Sequence, residues 1–217
     1  MRRLVVSLFV FAFALPLFAA FSGSDVFVGA VGRGPDAAGS DWYTSVWIHN
    51  PGGAPANVVA YLFLRNQTNP TPASQTLVVQ PGETRRIDNI VETLFGQSSA
   101  FGAMRFTSAS RIVVNARIYS KVLGTADSES AGQSFDGVPA SFAIGAGQSA
   151  VVLGAHQTSP FESSLFRYNF GFVETALGSG VMRADASDAL GAPLGTKDYA
   201  IGPFEARQFG IADVAPA

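Results

Sequence analysis

Three observations predict an all-β chain: apolar and polar residues alternate with a period of two, turn chemistry recurs about every 8–15 residues, and the pattern begins again in the second half. The expected arrangement is two tandem Ig-like antiparallel β-sandwiches, the second lacking its last strands. The first strand is Val26 to Val31. In the next, Trp42, Thr44, Val46 and Ile48 form one face and Tyr43, Ser45, Trp47 and His49 the other, until Asn50-Pro51-Gly52-Gly53 stops it. A third strand covers Asn57 to Arg65 and ends in the polar loop Asn66 to Ser74. Gln75 to Val79 and Thr84 to Ile87 follow, joined by Gln80-Pro81-Gly82-Glu83, with proline and glycine where a type II turn needs them. Asn89 with Glu92 three residues on predicts a capped helical turn through Phe95, closed by Gly96. Gly102 to Thr107 and Ile112 to Val122 complete a domain of residues 24–123.

The repeat is read from order and spacing more than identity. Val26 to Ala30 aligns with Val151 to Ala155, and Pro35 with Pro160, at an offset of 125. With one residue fewer in the next loop, Trp42, Thr44, Val46 and Ile48 match Phe166, Tyr168, Phe170 and Phe172. Leu77, Val79, Pro81, Glu83 and Arg85 match Tyr199, Ile201, Pro203, Glu205 and Arg207. Nothing matches Gly102 to Val122, so residues 138–217 read as a second, partial sandwich with an exposed sheet edge open to self-association. Val138 to Ile144 is the segment expected to fold back into the gap, with a truncated product or a strand donated by a partner as the alternatives. Between the copies, 124–137 is nearly devoid of apolar residues and reads as a linker or long loop.

The N-terminus carries its own signal. Met1-Arg2-Arg3 precedes an apolar run from Leu4 to Phe18 and then small residues, the pattern of a signal peptide over 1–20, cleaved within 19–23. The run is shorter than the roughly 20 residues a spanning helix needs, so no membrane span is expected after cleavage. Cleavage removes two arginines and no acid, taking the formal charge from -2 to -4. The expected location is secreted, periplasmic or cell-surface.

Composition excludes several chemistries. With 47% hydrophobic and 14% charged residues the chain is no disordered polyelectrolyte. No cysteine is present for a disulfide, thiolate site or nucleophile, and His49 and His156 are the only histidines. No basic stripe is present, which argues against nucleic acid. No nucleophile elbow, metalloprotease helix, Walker loop or dinucleotide fingerprint occurs, so no catalytic residue, metal or cofactor is assigned and a non-enzymatic role is expected. Asp127, Glu129 and Asp136, and likewise Asp185 and Asp188, lack the spacing of a calcium loop and read as solvated charge. Arg85, Arg117, Arg167 and Arg207 recur in strands and read as sheet tethers that need carboxylate or carbonyl partners. The candidate binding residues are Tyr43 and Trp47, which share the face opposite the proposed core, about 13 Å apart along a strand. Rings so placed can stack on sugars.

The runs Ser40 to Pro51, Val113 to Tyr119 and Phe166 to Val173 resemble those of uncharacterised secreted bacterial proteins with tandem Ig-like or fibronectin-like β-sandwich domains. The resemblance spans about Val26 to Val214. It implies a fold but no catalytic residue, and it implies further strands after the position of Val214. The expected function is an exported structural or adhesive module of the bacterial cell envelope or exterior, with a cell-surface protein or polysaccharide as partner. The alternative is a carbohydrate-binding module acting through Tyr43 and Trp47.

Overall fold

The computed structural model describes residues 21–35, 39–122, 124–155 and 168–216. The signal segment, His156, Phe166 and Arg167 lie outside the described residues. The chain is all-β with antiparallel sheets. Its strands are β1 (Ser22–Pro35), β2 (Asp41–His49), β3 (Ala56–Leu64), β4 (Ala73–Val79), β5 (Thr84–Ile87), β6 (Ala100–Lys121), β7 (Ala131–Asp136), β8 (Val138–Pro139), β9 (Asn169–Val173), β10 (Gly180–Ser187), β11 (Pro193–Ile201) and β12 (Ala206–Gly210), with one short helix, α1 (Ile90–Thr93).

The first eight strands form one sheet of order β4-β3-β6-β1-β2-β5, with β7 added to β6 and β8 to β1. The sheet curls into a half-barrel because β6 serves two neighbourhoods. Its first half pairs with β3 and its second half with β2 and β7, while β1 pairs along it from Ala100 to Val113. The expectation of two strands here, broken near Ser108, gives way to one of 22 residues. The Ser110 amide donates to Ser108 Oγ at 3.2 Å, so this polar stretch keeps a donor satisfied without ending the strand. Inside the curl, Val26, Val28 and Val31 of β1 meet Val46 and Ile48 of β2, Val58 and Leu62 of β3, and Met104, Phe106, Ile112 and Val114 of β6, all buried. Thr44 is buried among them, its hydroxyl accepting from the Gly32 amide at 2.8 Å and donating to the Gly32 carbonyl at 2.9 Å. That reciprocal pair stands in for the ladder, since β1 and β2 share only the register Gly34↔Trp42 and Pro35↔Asp41.

Three expectations are corrected. Residues 124–137 are not wholly a linker, since β7 lies on the second half of β6, from Ser120↔Ala131 to Asn115↔Asp136. An edge strand needs only backbone pairing, which a composition poor in apolar residues does not forbid. Val138 does not extend the second half either: β8 pairs with β1 through Phe27↔Val138 and Val26↔Pro139. Asn89 does not cap α1 with its side chain. It sits at φ 48° and its amide group donates instead to Glu92 Oε2 at 2.6 Å, while Gly96, at φ 67°, closes the turn as expected.

The second half repeats the first in register. β9 pairs with β12 as β2 does with β5, and β10 with β11 as β3 does with β4. Ile48 faces Arg85 and Val46 faces Ile87, as Phe172 faces Arg207 and Phe170 faces Phe209. The turns also agree atom by atom. Glu83 accepts the Gln80 amide through Oε2 at 2.6 Å, and Glu205 accepts the Gly202 amide through Oε2 at 2.8 Å. The Asn50 amide donates to the Glu83 carbonyl at 3.0 Å, and the Glu174 amide to the Glu205 carbonyl at 2.9 Å. One aligned segment fails: Val151 to Ala155, matched to β1, is exposed and forms no strand.

The turn after β11 docks the two halves. Gly82 at φ 71° is replaced there by Phe204 at φ 48°, a conformation a bulky side chain adopts only at a cost of about 1–3 kcal/mol. Its ring stacks on Phe63, centroids 4.9 Å apart and planes within 8°. Asn69 clasps the same turn, its side chain donating to the Phe204 carbonyl at 2.9 Å and its amide to the Pro203 carbonyl at 2.8 Å. Arg105 lies over Phe27 and Phe204 and forms two 2.7 Å bonds to Asp25.

Candidate functional site

The strand alternation that buries Thr44, Val46 and Ile48 turns Tyr43, Ser45 and Trp47 to the opposite face, where β5, β2, β6 and β7 lie side by side. Neighbouring strands are in register, so the outer residues form rows. Arg86, Trp47, Asn115 and Asp136 make one, Ser45, Arg117 and Ser134 the next, and Tyr43, Tyr119 and Gly132 a third. The Tyr43 and Tyr119 rings stack with centroids 5.7 Å apart. Gly132 is required beside them, because a Cβ there would lie 2.5 Å from Tyr119 Cβ and from the Ile118 carbonyl.

Each ring carries a cation. The Arg33 guanidinium lies 4.6 Å from the Tyr43 centroid, Arg117 4.7 Å from Tyr119 and Arg86 5.3 Å from Trp47, with Lys121 Nζ 5.5 Å from Tyr43. Carboxylates fix two of these cations, Arg33 and Arg86, in place. Arg33 bonds Glu92 at 2.9 Å and Asp41 at 3.1 Å, and Arg86 bonds Asp88 at 2.7 Å, the same oxygen that accepts from Ser45 Oγ at 2.8 Å. Arg33 and then Asn89 hold the Glu92 carboxyl below its ordinary range. The chemistry of this face is that of contact groups: rings can stack, guanidiniums and amides can donate, and carboxylates can accept.

The structure thus brings Tyr43 and Trp47 to one face, half-buried and outside both hydrophobic clusters. Tyr119, Arg33 and Arg86 complete the face and were not singled out from the sequence. Cross-strand register alone joins them, although the ring in Val113 to Tyr119 is visible as a strand residue. His49 lies at the rim, its Nδ1 3.1 Å from the Glu83 carbonyl and 2.9 Å from Thr84 Oγ1. Arg85 donates to the Val78 carbonyl at 2.9 Å, Arg117 to Ser130 Oγ at 2.9 Å, and Arg207 to Glu205. Asp136 accepts from Asn115 at 2.7 Å, Asp185 from the Thr196 hydroxyl at 2.7 Å, and Asp188 from the Leu190 and Ala192 amides at 2.8 Å. Among the described residues no three histidines or carboxylates converge as metal ligands, and no helix is long and apolar enough to cross a membrane.

A second aromatic cluster occupies the inner face of the C-terminal half, where Phe170, Phe172 and Tyr199 surround Phe209 with centroids 4.1 to 5.8 Å from it. Tyr199 is buried and donates to Asp213 Oδ2 at 2.6 Å, and Lys197 pairs with the other carboxylate oxygen. Burial, then the bond to Asp213 and its charge, push the Tyr199 phenol above its ordinary range. A raised phenol pKa means that the folded state holds the proton more tightly. Its contribution is therefore complete below the unfolded value of about 10 and is lost as pH rises from there towards the folded value. Alkaline titration followed by circular dichroism should show the C-terminal half loosening above about pH 10, with Tyr199→Phe flattening that loss.

No family model matches the chain, and no curated protein does. Among solved structures the chain is similar to the crystal structure of Thermotoga maritima 1070, at 10% identity and a TM-score of 0.43, over 54% of this chain and 93% of that one.

Proposed function

We propose that the protein is an exported, non-enzymatic adhesive or structural module of the bacterial cell envelope or exterior, built from two copies of one Ig-like unit, and that its outer β5-β2-β6-β7 face is the adhesive surface. The observation that carries this is the ordered row of rings under fixed cations: Tyr43 stacked on Tyr119, and Trp47 beneath Arg86. Such a face combines apolar contact with little side-chain entropy to lose, because ion pairs already hold Arg33 and Arg86. The basic, apolar N-terminal segment supports export, and the partner on this reading is a cell-surface protein or polysaccharide.

The ring spacing favours one further reading, a carbohydrate-binding module. Tyr43 and Trp47 are four residues apart on one strand face, about 13 Å, a distance that places two stacking platforms along one glycan chain. The test is retention of the protein without residues 1–20 on isolated cell envelopes and on a panel of polysaccharides. Trp47→Ala is expected to weaken retention about tenfold with the unfolding midpoint little changed. Equal retention of Trp47→Ala and Tyr43→Ala would remove the face from the function, and retention on envelope protein but on no polysaccharide would remove the carbohydrate reading.

A further inference from the structure

The register repeat shows what the C-terminal half is shaped to receive. In the N-terminal half, β6 lies against both hairpins, pairing with β2 from Asp41↔Lys121 to His49↔Val113 and with β3 from Val58↔Ser108 to Leu64↔Gly102. It supplies Met104, Phe106, Ile112 and Val114 to the core, and β1 pairs along it and supplies Val26, Val28 and Val31. In the C-terminal half the counterparts of β2 and β3 are β9 and β10, and among the described residues each has a single strand partner, β12 and β11. Val46 and Ile48 are fully buried, whereas their counterparts Phe170 and Phe172 remain half-exposed. The counterpart of β1, Val151 to Ala155, pairs with no strand among the described residues, and Val151, Val152 and Leu153 are 81%, 67% and 85% exposed.

Charge points the same way. β6 carries Arg105, Arg111, Arg117 and Lys121 and no carboxylate. Among residues 169–216, Glu174, Asp185, Asp188, Asp198, Glu205 and Asp213 outnumber Arg183, Lys197 and Arg207 six to three. A cationic strand is the complement of that surface.

We propose that the C-terminal half is a strand acceptor. It binds in trans an extended, cationic partner strand of the β6 pattern, whose backbone pairs with the edges of β9 and β10 that are unpaired among the described residues and whose alternate apolar side chains cover Phe170 and Phe172. Main-chain bonds supply affinity and the alternation fixes the register. Val151 to Ala155 then orders on the far edge of the incoming strand, as β1 does on β6. This site shares no residue with the Tyr43 and Trp47 face, so either proposal can fail alone.

The test uses the protein without residues 1–20 and a synthetic peptide with the sequence of residues 100–121, read by amide hydrogen exchange and by sedimentation. Saturable binding is expected, with new protection across 151–155, 169–173 and 180–187. Phe170→Ser should weaken binding about tenfold while leaving β1 and β6 protection unchanged, and raising the salt should weaken it further. Equal binding of a scrambled peptide that breaks the alternation would overturn the proposal. So would the absence of new protection, or protection confined to β4, β5 and β7. A dimer formed without peptide that already protects β9 and β10 would also overturn it, by showing that a second copy takes those edges.

Discussion

Truncating Phe63 to alanine should lower stability by about 3–5 kcal/mol, as large for a residue on the outer face of its sheet as for one in a core. The reason is that Phe63 does not face the core of the half it belongs to. Val58, Ala60 and Leu62 point into the curl, and Phe63 points out, yet it is 0% exposed because the turn of the other half covers it. Its ring lies 6.2 Å from Phe27 and stacks on Phe204. The loss should therefore appear as uncoupling as well as destabilisation. Urea unfolding followed by tryptophan fluorescence reports only the N-terminal half, which holds both tryptophans, Trp42 and Trp47. Hydrogen exchange at β9 to β12 reports the other half, and in Phe63→Ala it should rise well before the fluorescence transition. Phe204→Gly provides the comparison. It removes the partner ring but restores the residue that the equivalent turn uses at Gly82, recovering about 1 kcal/mol of backbone strain. It should uncouple the halves at a smaller cost. Equal costs for the two variants would mean that the left-handed turn stores no strain.

How much of this was legible in the sequence depends on whether the signal is local. Strands β2 to β5 follow from alternation and from Asn-Pro and Pro-Gly turn chemistry, which act within a few residues. The match of Pro81, Glu83 and Arg85 to Pro203, Glu205 and Arg207 was readable because a β-turn closed by its own glutamate needs the same spacing wherever it occurs. β6 reads as two strands because Ser108-Ala109-Ser110 lacks large apolar residues, whereas pairing with β3 up to Ser108 and with β1 and β2 from Ile112 carries the strand through. β7 was missed because its pairing is made by backbone alone and only Phe135 is a large apolar residue. Val151 to Ala155 shows the converse error: a strand-forming sequence forms no strand, because alternation alone does not supply a paired neighbour. For the candidate face, parity alone put Tyr43 and Trp47 together. Tyr119, Arg33 and Arg86 come from three other strands, and only the register of the folded sheet assembles them.

Asn50→Asp should cost about 3–5 kcal/mol at neutral pH although it changes one atom, because it places an unpaired charge in a buried site. Asn50 is 0% exposed and its amide nitrogen donates to three carbonyls, of Ala54 at 2.8 Å, Val79 at 3.0 Å and Gln80 at 3.2 Å. Its oxygen accepts from a single amide, that of Gly52, at 2.9 Å. The three carbonyls would then face a carboxylate oxygen, lone pair against lone pair. The C-terminal half shows why charge is the deciding quantity. There Glu174 takes the place of Asn50, and its two oxygens accept amides from Ala176 at 2.7 Å and Phe204 at 2.8 Å. A carboxylate suits a site made of donors and fails in one made of acceptors. Carbonyl surroundings and burial raise the folded-state pKa of the introduced acid above its unfolded value of about 4. Its contribution is then intact below pH 4 and lost as pH rises through the folded value, so the deficit of Asn50→Asp relative to the parent should shrink on acidification. Asn50→Ala, which removes the donor without adding charge, should cost about 2–3 kcal/mol at every pH. Denaturant titrations of both variants between pH 4 and 8 separate the two effects, and a deficit of Asn50→Asp that does not change with pH would show that the site admits water to its carbonyls.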